Sequence, residues 1–566
     1  MKKLTIIAAI LISALFIFAS CSSGGGDGGN NPGFDSETNV QVKGIDEGDI
    51  VKTSGNYIFK VQTNGISVTK VSDGHMELLD IVADSNLIPI EAIVYKNLLL
   101  TIVGKSNTKI YGSGDYSSYY KSKYDQTLIY VFDFSDVQTT GLKMVYSFKL
   151  SGNYFQSRMF KDTGIVYAVF SVFDSGHTIP TNGPYNSSNT AINYAENGAG
   201  KKVNEFLDLS NIGKIANNFS GTKGTVFFKL DLNNFKSCVT AHINAKIFDL
   251  YISKFAIYPI YNLRETVKNS FSFTCFFTNQ INKDSSVIVK LDFNLSYKHK
   301  IVNSGFEIYS RYALFDNGEN FFYAASDLKN WNNALFAYDN YGNLKSKIEF
   351  GKGEKIYSVN YDNNKCFAIT FRQTDPLFEF DISNPNGIKL VGELEIPDYS
   401  TYLYPYSEEL LIGLGVSFNP NGIKLDLYRV GTGGNPIREY SLVIAGAIQN
   451  EVPALFDPRA ILIGPGYFGF ALERYTGGYH YQEFWVFEIF YSAISDEYSF
   501  SEPAKLSNFT DGKIDGGWDA AFDKVITRAV VINDYLYTVS NGYITSYSKG
   551  IAGFEFIEQL NTKGMI

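Results

Sequence analysis

The densest chemistry sits in Gly44-Ile-Asp-Glu-Gly-Asp-Ile50, which brings Asp46, Glu47 and Asp49 within four positions. Clustered carboxylates have three common uses: capping turns, pairing with Lys or Arg, and offering oxygens to a hard cation such as calcium. Because Ile50 and Val51 open an apolar strand pattern, the context favours capping or ion pairing where the fold closes, with a cation as the second reading. Asp511, Asp515, Asp519 and Asp523 recur every fourth residue in DGKIDGGWDAAFD. That spacing differs from a calcium loop, and the glycines oppose a helix that would align the carboxylates, so metal is the weaker reading there too. Arg372, Gln373 and Asp375-Pro376 read as an ion-pair and turn device.

Motifs for nucleophilic, nucleotide or zinc-protease chemistry do not occur: there is no GxSxG, Walker loop, HExxH or CxxC. The histidines, at 75, 177, 242, 299 and 480, lack metal-ligand spacing, and GTGG at 431–434 is a lone glycine cluster. No catalytic residue and no cofactor is nominated, and the enzyme question leans to no. Side chains converging from distant segments would escape such a search.

The N-terminus says where the chain works. Lys2 and Lys3 precede an apolar stretch from Leu4 to Phe18, then Ala19, Ser20 and Cys21. This is the layout of an export signal, too short to span a bilayer comfortably. Small residues before Cys21 resemble a bacterial lipoprotein cleavage box, although Phe18 stands where that box has an aliphatic residue. The expectation is a signal peptide at 1–20 and a lipid on Cys21, which anchors without spanning. Ser22 then resembles the outer-membrane sorting case in a Gram-negative cell. Residues 21–37 contain SSGGGDGGNNPG, a flexible tether that cannot build a core. With a formal charge of -9, the chain is acidic, which argues against nucleic acid as a partner. Besides Cys21 there are Cys238, Cys275 and Cys366, so at most one disulfide can form. A Cys238–Cys275 bridge stays open beside the favoured reading of buried free thiols.

These groups must be positioned by strands. Tyr57-Ile-Phe59-Lys-Val61, the turn pair Asn64-Gly65 and Ile66-Ser-Val68 form a hairpin pattern. Tyr535-Leu-Tyr537-Thr-Val539, Asn541-Gly542 and Tyr543 to Tyr547 repeat it near the end. Asp133, Asp231, Asp292, Asp339 and Asp381 recur after apolar strands, where they would cap the next turn. Residues 356–394 spell one four-stranded unit in full. The reading is all-β: a single large β-propeller over 38–560 with insertions near 109–125, 173–223 and 492–523. Merging the two terminal hairpins into one blade gives eight four-stranded blades, with seven or nine also allowed. One short helix is expected at Glu205 to Ala216.

Three stretches carry a family likeness: Thr38 to Phe59 (TNVQVKGIDEGDIVKTSGNYIF), Phe371 to Tyr406, and Val531 to Gly542. They resemble bacterial secreted proteins with a C-terminal β-propeller domain distantly related to WD-type repeats. The resemblance implies a propeller over 38–550 and brings no catalytic residues. Gly48, where the family commonly has Ala, and the lack of clear WD dipeptides are departures. The functional expectation is a lipid-anchored, extracytoplasmic binding or scaffold module for an envelope protein or glycan. The alternative is an extracytoplasmic hydrolase, lyase or dehydrogenase with its site at the channel mouth.

Overall fold

A computed structural model describes residues 38–563 except 64, 84–86, 106–125, 152, 174–193, 198–204, 207–222, 244–246, 269–279, 328, 372–374, 397–398, 431–434, 515–520 and 551–552. The expected signal peptide and tether, Cys21, Cys275, Arg372, Gln373, Asp515 and Asp519 therefore lie outside the described residues.

Among the described residues nine sheets, each with an antiparallel body, succeed one another along the chain. Their first strands are Val51–Ser54, Leu87–Tyr95, Asn153–Phe160, Asp249–Ile252, Leu314–Asp316, Lys355–Asp362, Tyr399–Pro405, Ile461–Gly464 and Ile526–Ile532. These open blades 1 to 9, and four strands form the body of each blade in chain order. Second and third strands are buried almost end to end, as in Leu410–Phe418 and Asn421–Arg429 of blade 7. Each blade is sandwiched between two others, so its middle strands present apolar side chains on both faces. The fourth strands, such as Leu344–Phe350 and Gly553–Asn561, alternate exposed and half-buried positions at the perimeter.

Apolar packing runs continuously around the ring. Phe59 and Val68 of blade 1 meet Leu99 and Phe132 of blade 2, and Leu100 of blade 2 shares a cluster with Ala168 and Phe228 of blade 3. Similar clusters link every later pair. Tyr537 and Val539 of blade 9 return to Val51 and Ile58 of blade 1. The blade count is therefore nine, where merging the terminal hairpins would have given eight. Each terminal hairpin keeps its own first and fourth strands, and the two blades stack face to face instead of sharing one sheet.

That stack is joined by side chains. Lys60 donates to the carbonyls of Ser540 (3.1 Å) and Asn541 (2.8 Å) and to the Thr562 hydroxyl. The amide of Gln62 reaches the Thr562 carbonyl at 3.1 Å, and Thr63 donates to the Asn541 side chain. Burial lowers the Lys60 amine to about 7, with Lys563 pushing the same way and Asp523 opposing.

The five recurrent aspartates cap turns at the ends of the third strands of blades 2 to 6. Asp133 accepts from the amide of Ser135 (2.8 Å), Asp231 from Asn233 (2.9 Å) and Asp292 from Asn294 (2.9 Å). Asp339 accepts from Tyr341 and Asp381 from Ser383, both at 2.9 Å. A carboxylate two residues ahead of an amide closes this Asx turn locally.

At the opposite rim the second strands end and the third strands begin. In blades 2, 3 and 4 the sequence between them is long, 106–125, 174–222 and 269–279, whereas Gly477 and Gly478 suffice in blade 8. The blade 4 excursion is additional to those expected. Within the blade 3 excursion, Tyr194–Asn197 pairs with the fourth strand of blade 2, and Glu205–Phe206 pairs in parallel with the fourth strand of blade 3. Glu205, expected to start a helix, is thus in a strand, because an open sheet edge offers its backbone partners. Residues 492–523, expected as an insertion, include Glu497–Phe500, which completes blade 8, and Ala504–Leu506, which pairs with the same third strand. Cys366 is free and buried, and burial pushes its thiol up.

Candidate functional site in the central channel

The first strands line a central channel, and residues 38–50 cross it as an arm. Asn39 donates to the carbonyl of Pro458 (3.1 Å) and Gln41 to that of Arg311 (2.8 Å), linking the arm to the approaches of blades 8 and 5. Val42 then packs against the apolar clusters around blade 4. The chain turns at Gly44, whose positive φ (88°) suits glycine, and Ile45–Glu47 adds an antiparallel strand to the inner edge of blade 3. Asp49 exchanges backbone bonds with Ala92 of blade 2 before the chain enters blade 1.

This route delivers three carboxylates into a basic enclosure. Glu47, 2% exposed, is shared by Arg158 and Arg311, each at 3.2 Å. Asp49 receives Arg528 at 3.1 Å, and Asp46 pairs with Lys52 at 2.8 Å. Wall carboxylates complete the network. Asp457 takes Arg528 (2.6 Å) and Arg459 (2.9 Å), Asp249 takes Arg311 (3.7 Å), and Glu91 takes Arg459 (3.4 Å). Arg459 also donates to the carbonyl of Gly48, while Ser157 (2.6 Å) and Tyr154 donate to Glu91.

Burial, the largest influence on Glu47, would raise its pKa, but Arg158, Arg311 and Arg459 together hold the carboxyl below its usual range. Asp457 is likewise held low, with burial overcome by Arg459 and Arg528. Arg158 is pulled down by burial against the attraction of Glu47. Toward blades 5 to 7 the enclosure is aromatic. The Arg311 guanidinium lies 4.6 Å from the Tyr312 ring, which meets Tyr402 edge-on, and Tyr402 contacts Tyr404. A narrow cleft opens among Thr38, Asp49, Lys52, Arg459 and Arg528.

The first acidic motif is therefore an ion-pairing device that acts across the channel. The second is not assembled among the described residues. Asp511 sits in a short 3₁₀ turn with φ 52°, and Asp523 pairs with Lys563 (2.5 Å) and accepts from Asn541 (2.7 Å). Among the described residues no group of three or more His, Cys, Asp or Glu side chains gathers as a metal would need.

The arginines were missed in the sequence. Four of the chain's nine, Arg158, Arg311, Arg459 and Arg528, meet here. Their scarcity among many lysines was the available signal, since a guanidinium can serve several acceptors from one rigid plane. Gly48 also has a local reason: a Cβ there would lie 2.0 Å from the Glu91 carboxylate. An alanine at this position would require the Glu91 side chain to shift.

A ring of four-stranded blades with a strand-forming arm in its channel defines a β-propeller of the self-plugged kind. The chain belongs to the β-propeller domain family, whose model matches residues 35–549. It is similar to an uncharacterised protein of Methanocaldococcus jannaschii, 24% identical over 89% of this chain and 80% of that one. An uncharacterised protein of Archaeoglobus fulgidus is 30% identical over 38% of this chain and 30% of its own length. Both relatives are archaeal, whereas the sequence resemblance pointed to bacteria. Among solved structures, BamB from Moraxella catarrhalis aligns with a TM-score of 0.30 at 14% identity, over 57% of this chain and 78% of its own. Hsv2 from Kluyvelomyces marxianus aligns with a TM-score of 0.33 at 9% identity, over 68% and 96% respectively.

Proposed function

We propose that this protein is a lipid-anchored module of the cell envelope, exported and attached through Cys21, whose propeller binds a protein or glycan. The observation carrying this reading is the channel. The place where an enzyme of this fold would gather free acids and bases is crossed by the chain's own arm, and the arm's carboxylates are engaged by Lys52, Arg158, Arg311 and Arg528. That weighs against the enzyme alternative. The rim carrying the excursions of blades 2 to 4 is the natural recognition surface, since long links on a rigid scaffold commonly carry binding. In a two-membrane envelope the sorting residue Ser22 favours the outer membrane.

The test pairs two variants. Cys21→Ala should move the protein from the membrane to the soluble fraction, and unchanged fractionation would refute the anchor. Replacing 174–222 by a short Gly-Ser link should abolish cross-linking to a defined envelope component while leaving cooperative unfolding intact. A cross-linking pattern identical to that of the unaltered chain would refute the rim.

A further inference from the structure

The arm's contacts resemble those between a peptide and its receptor, made within one chain. Ile45–Glu47 joins the inner edge of blade 3 through backbone pairing opposite Arg158, Met159 and Phe160, which is strand addition. Successive side chains then enter different sites. Ile45, 2% exposed, goes into the apolar cluster of blades 3 and 4. Asp46 goes to Lys52, Glu47 to the Arg158–Arg311 pair, and Asp49 to Arg528, while Gly48 passes where Glu91 leaves no room for a side chain. Among the described residues, the ion-pair network around the arm has five cationic groups, Lys52 and the four arginines, against three wall carboxylates, Glu91, Asp249 and Asp457. Without the arm it holds an excess of positive charge that the arm's acids cover.

We propose that the channel is a binding site for an extended acidic peptide of the pattern apolar–acidic–acidic–glycine–acidic, that residues 45–49 are its resident occupant, and that a segment of this pattern in a partner protein exchanges with them. Backbone pairing to blade 3 sets the register, Arg158 and Arg311 converge on one oxygen of Glu47, and Arg528 takes Asp49 through both Nε and Nη2. A tethered occupant competes at an effective concentration in the millimolar range, so exchange needs a tighter segment or a loosened arm. The biological use rests on the binding-module reading, but the site itself rests only on the channel's geometry.

The experiment uses the full chain in detergent and a fluorescein-labelled peptide of residues 38–50, followed by anisotropy. A chain carrying Glu47→Gln and Asp49→Asn, which loosens the resident arm, should bind the peptide at least about tenfold more tightly than the unsubstituted chain. A peptide with its own Glu47→Gln and Asp49→Asn changes should lose that gain. Where the double variant does not unfold cooperatively, Asp49→Asn alone serves, because it leaves the Glu47 pairs intact. Equal binding by substituted and unsubstituted chains, or equal binding of a scrambled peptide, would overturn the proposal. Because this readout is independent of the 174–222 excursion, a failed rim test leaves it standing, and its own failure leaves the rim reading standing.

Discussion

Asp292 at the rim and Glu47 in the channel are both carboxylates held below their ordinary range, and burial pushes each of them up. What overcomes burial differs. Asp292 is answered by Lys298 at 2.8 Å and by the amides of Asn294 and Ser296, all within six residues. Glu47 is answered by Arg158 and Arg311, which lie more than a hundred residues away and belong to different blades. The rim carboxylate serves one turn, while the channel carboxylate ties separate blades to the arm. The contrast shows how one residue type can be decided by its neighbours in sequence or only by the closed ring.

The largest effect that would break this contrast is removal of Glu47. Glu47→Ala leaves two buried guanidiniums without their shared carboxylate and should cost about 3–5 kcal/mol of unfolding free energy in a denaturant titration. A loss no greater than that of a rim aspartate would show that the channel network contributes little. Glu47→Ala and Arg158→Met should be non-additive, because both remove the same ion pair.

Ring closure gives an effect that depends on pH. Lys60 titrates near 7 in the folded chain and near 10.5 unfolded, so the unfolded state holds more protons between those values and stability rises with pH across that window. The unaltered chain should therefore gain stability relative to Lys60→Met as pH rises from about 7 to about 10 in matched denaturant titrations. A difference that stays flat would place the charged form of Lys60 in the folded state throughout.

The smallest effects belong to the rim. Asp292→Ala removes a solvent-screened turn cap and should cost about 1 kcal/mol. Combined with Asp381→Ala, two blades away, it should be additive within about 0.5 kcal/mol. Coupling between these two would mean that rim turns communicate, against the local reading. Since these carboxyls have lowered folded values, their contribution is present above the ordinary range near 3.8 and fades as pH falls below it.

Some of the ring was legible because its determinants are local. The alternation at Tyr57 to Val61 and Tyr535 to Val539, the turn pair Asn541-Gly542, and the five aspartates each act over a few residues, and the capping bonds at Asp133 to Asp381 are where the sequence placed them. Blade number was less legible. The mirrored terminal hairpins fit one merged blade or two stacked blades equally well until first and fourth strands are assigned. Glu205 went astray for a related reason, because its strand state depends on an edge supplied by Lys236–Ile243.

By itself, then, the sequence determined the four-stranded repeat, the turn caps and the acidity of the segment from Asp46 to Asp49, since periodicity and turn chemistry are short-range. Only the tertiary structure decided that nine blades close the circle and that four arginines from four blades converge on that segment. Those arginines sit at 158, 311, 459 and 528 with no spacing to announce them. A channel is made by the first strands of all the blades together, so its chemistry exists only once the ring has closed.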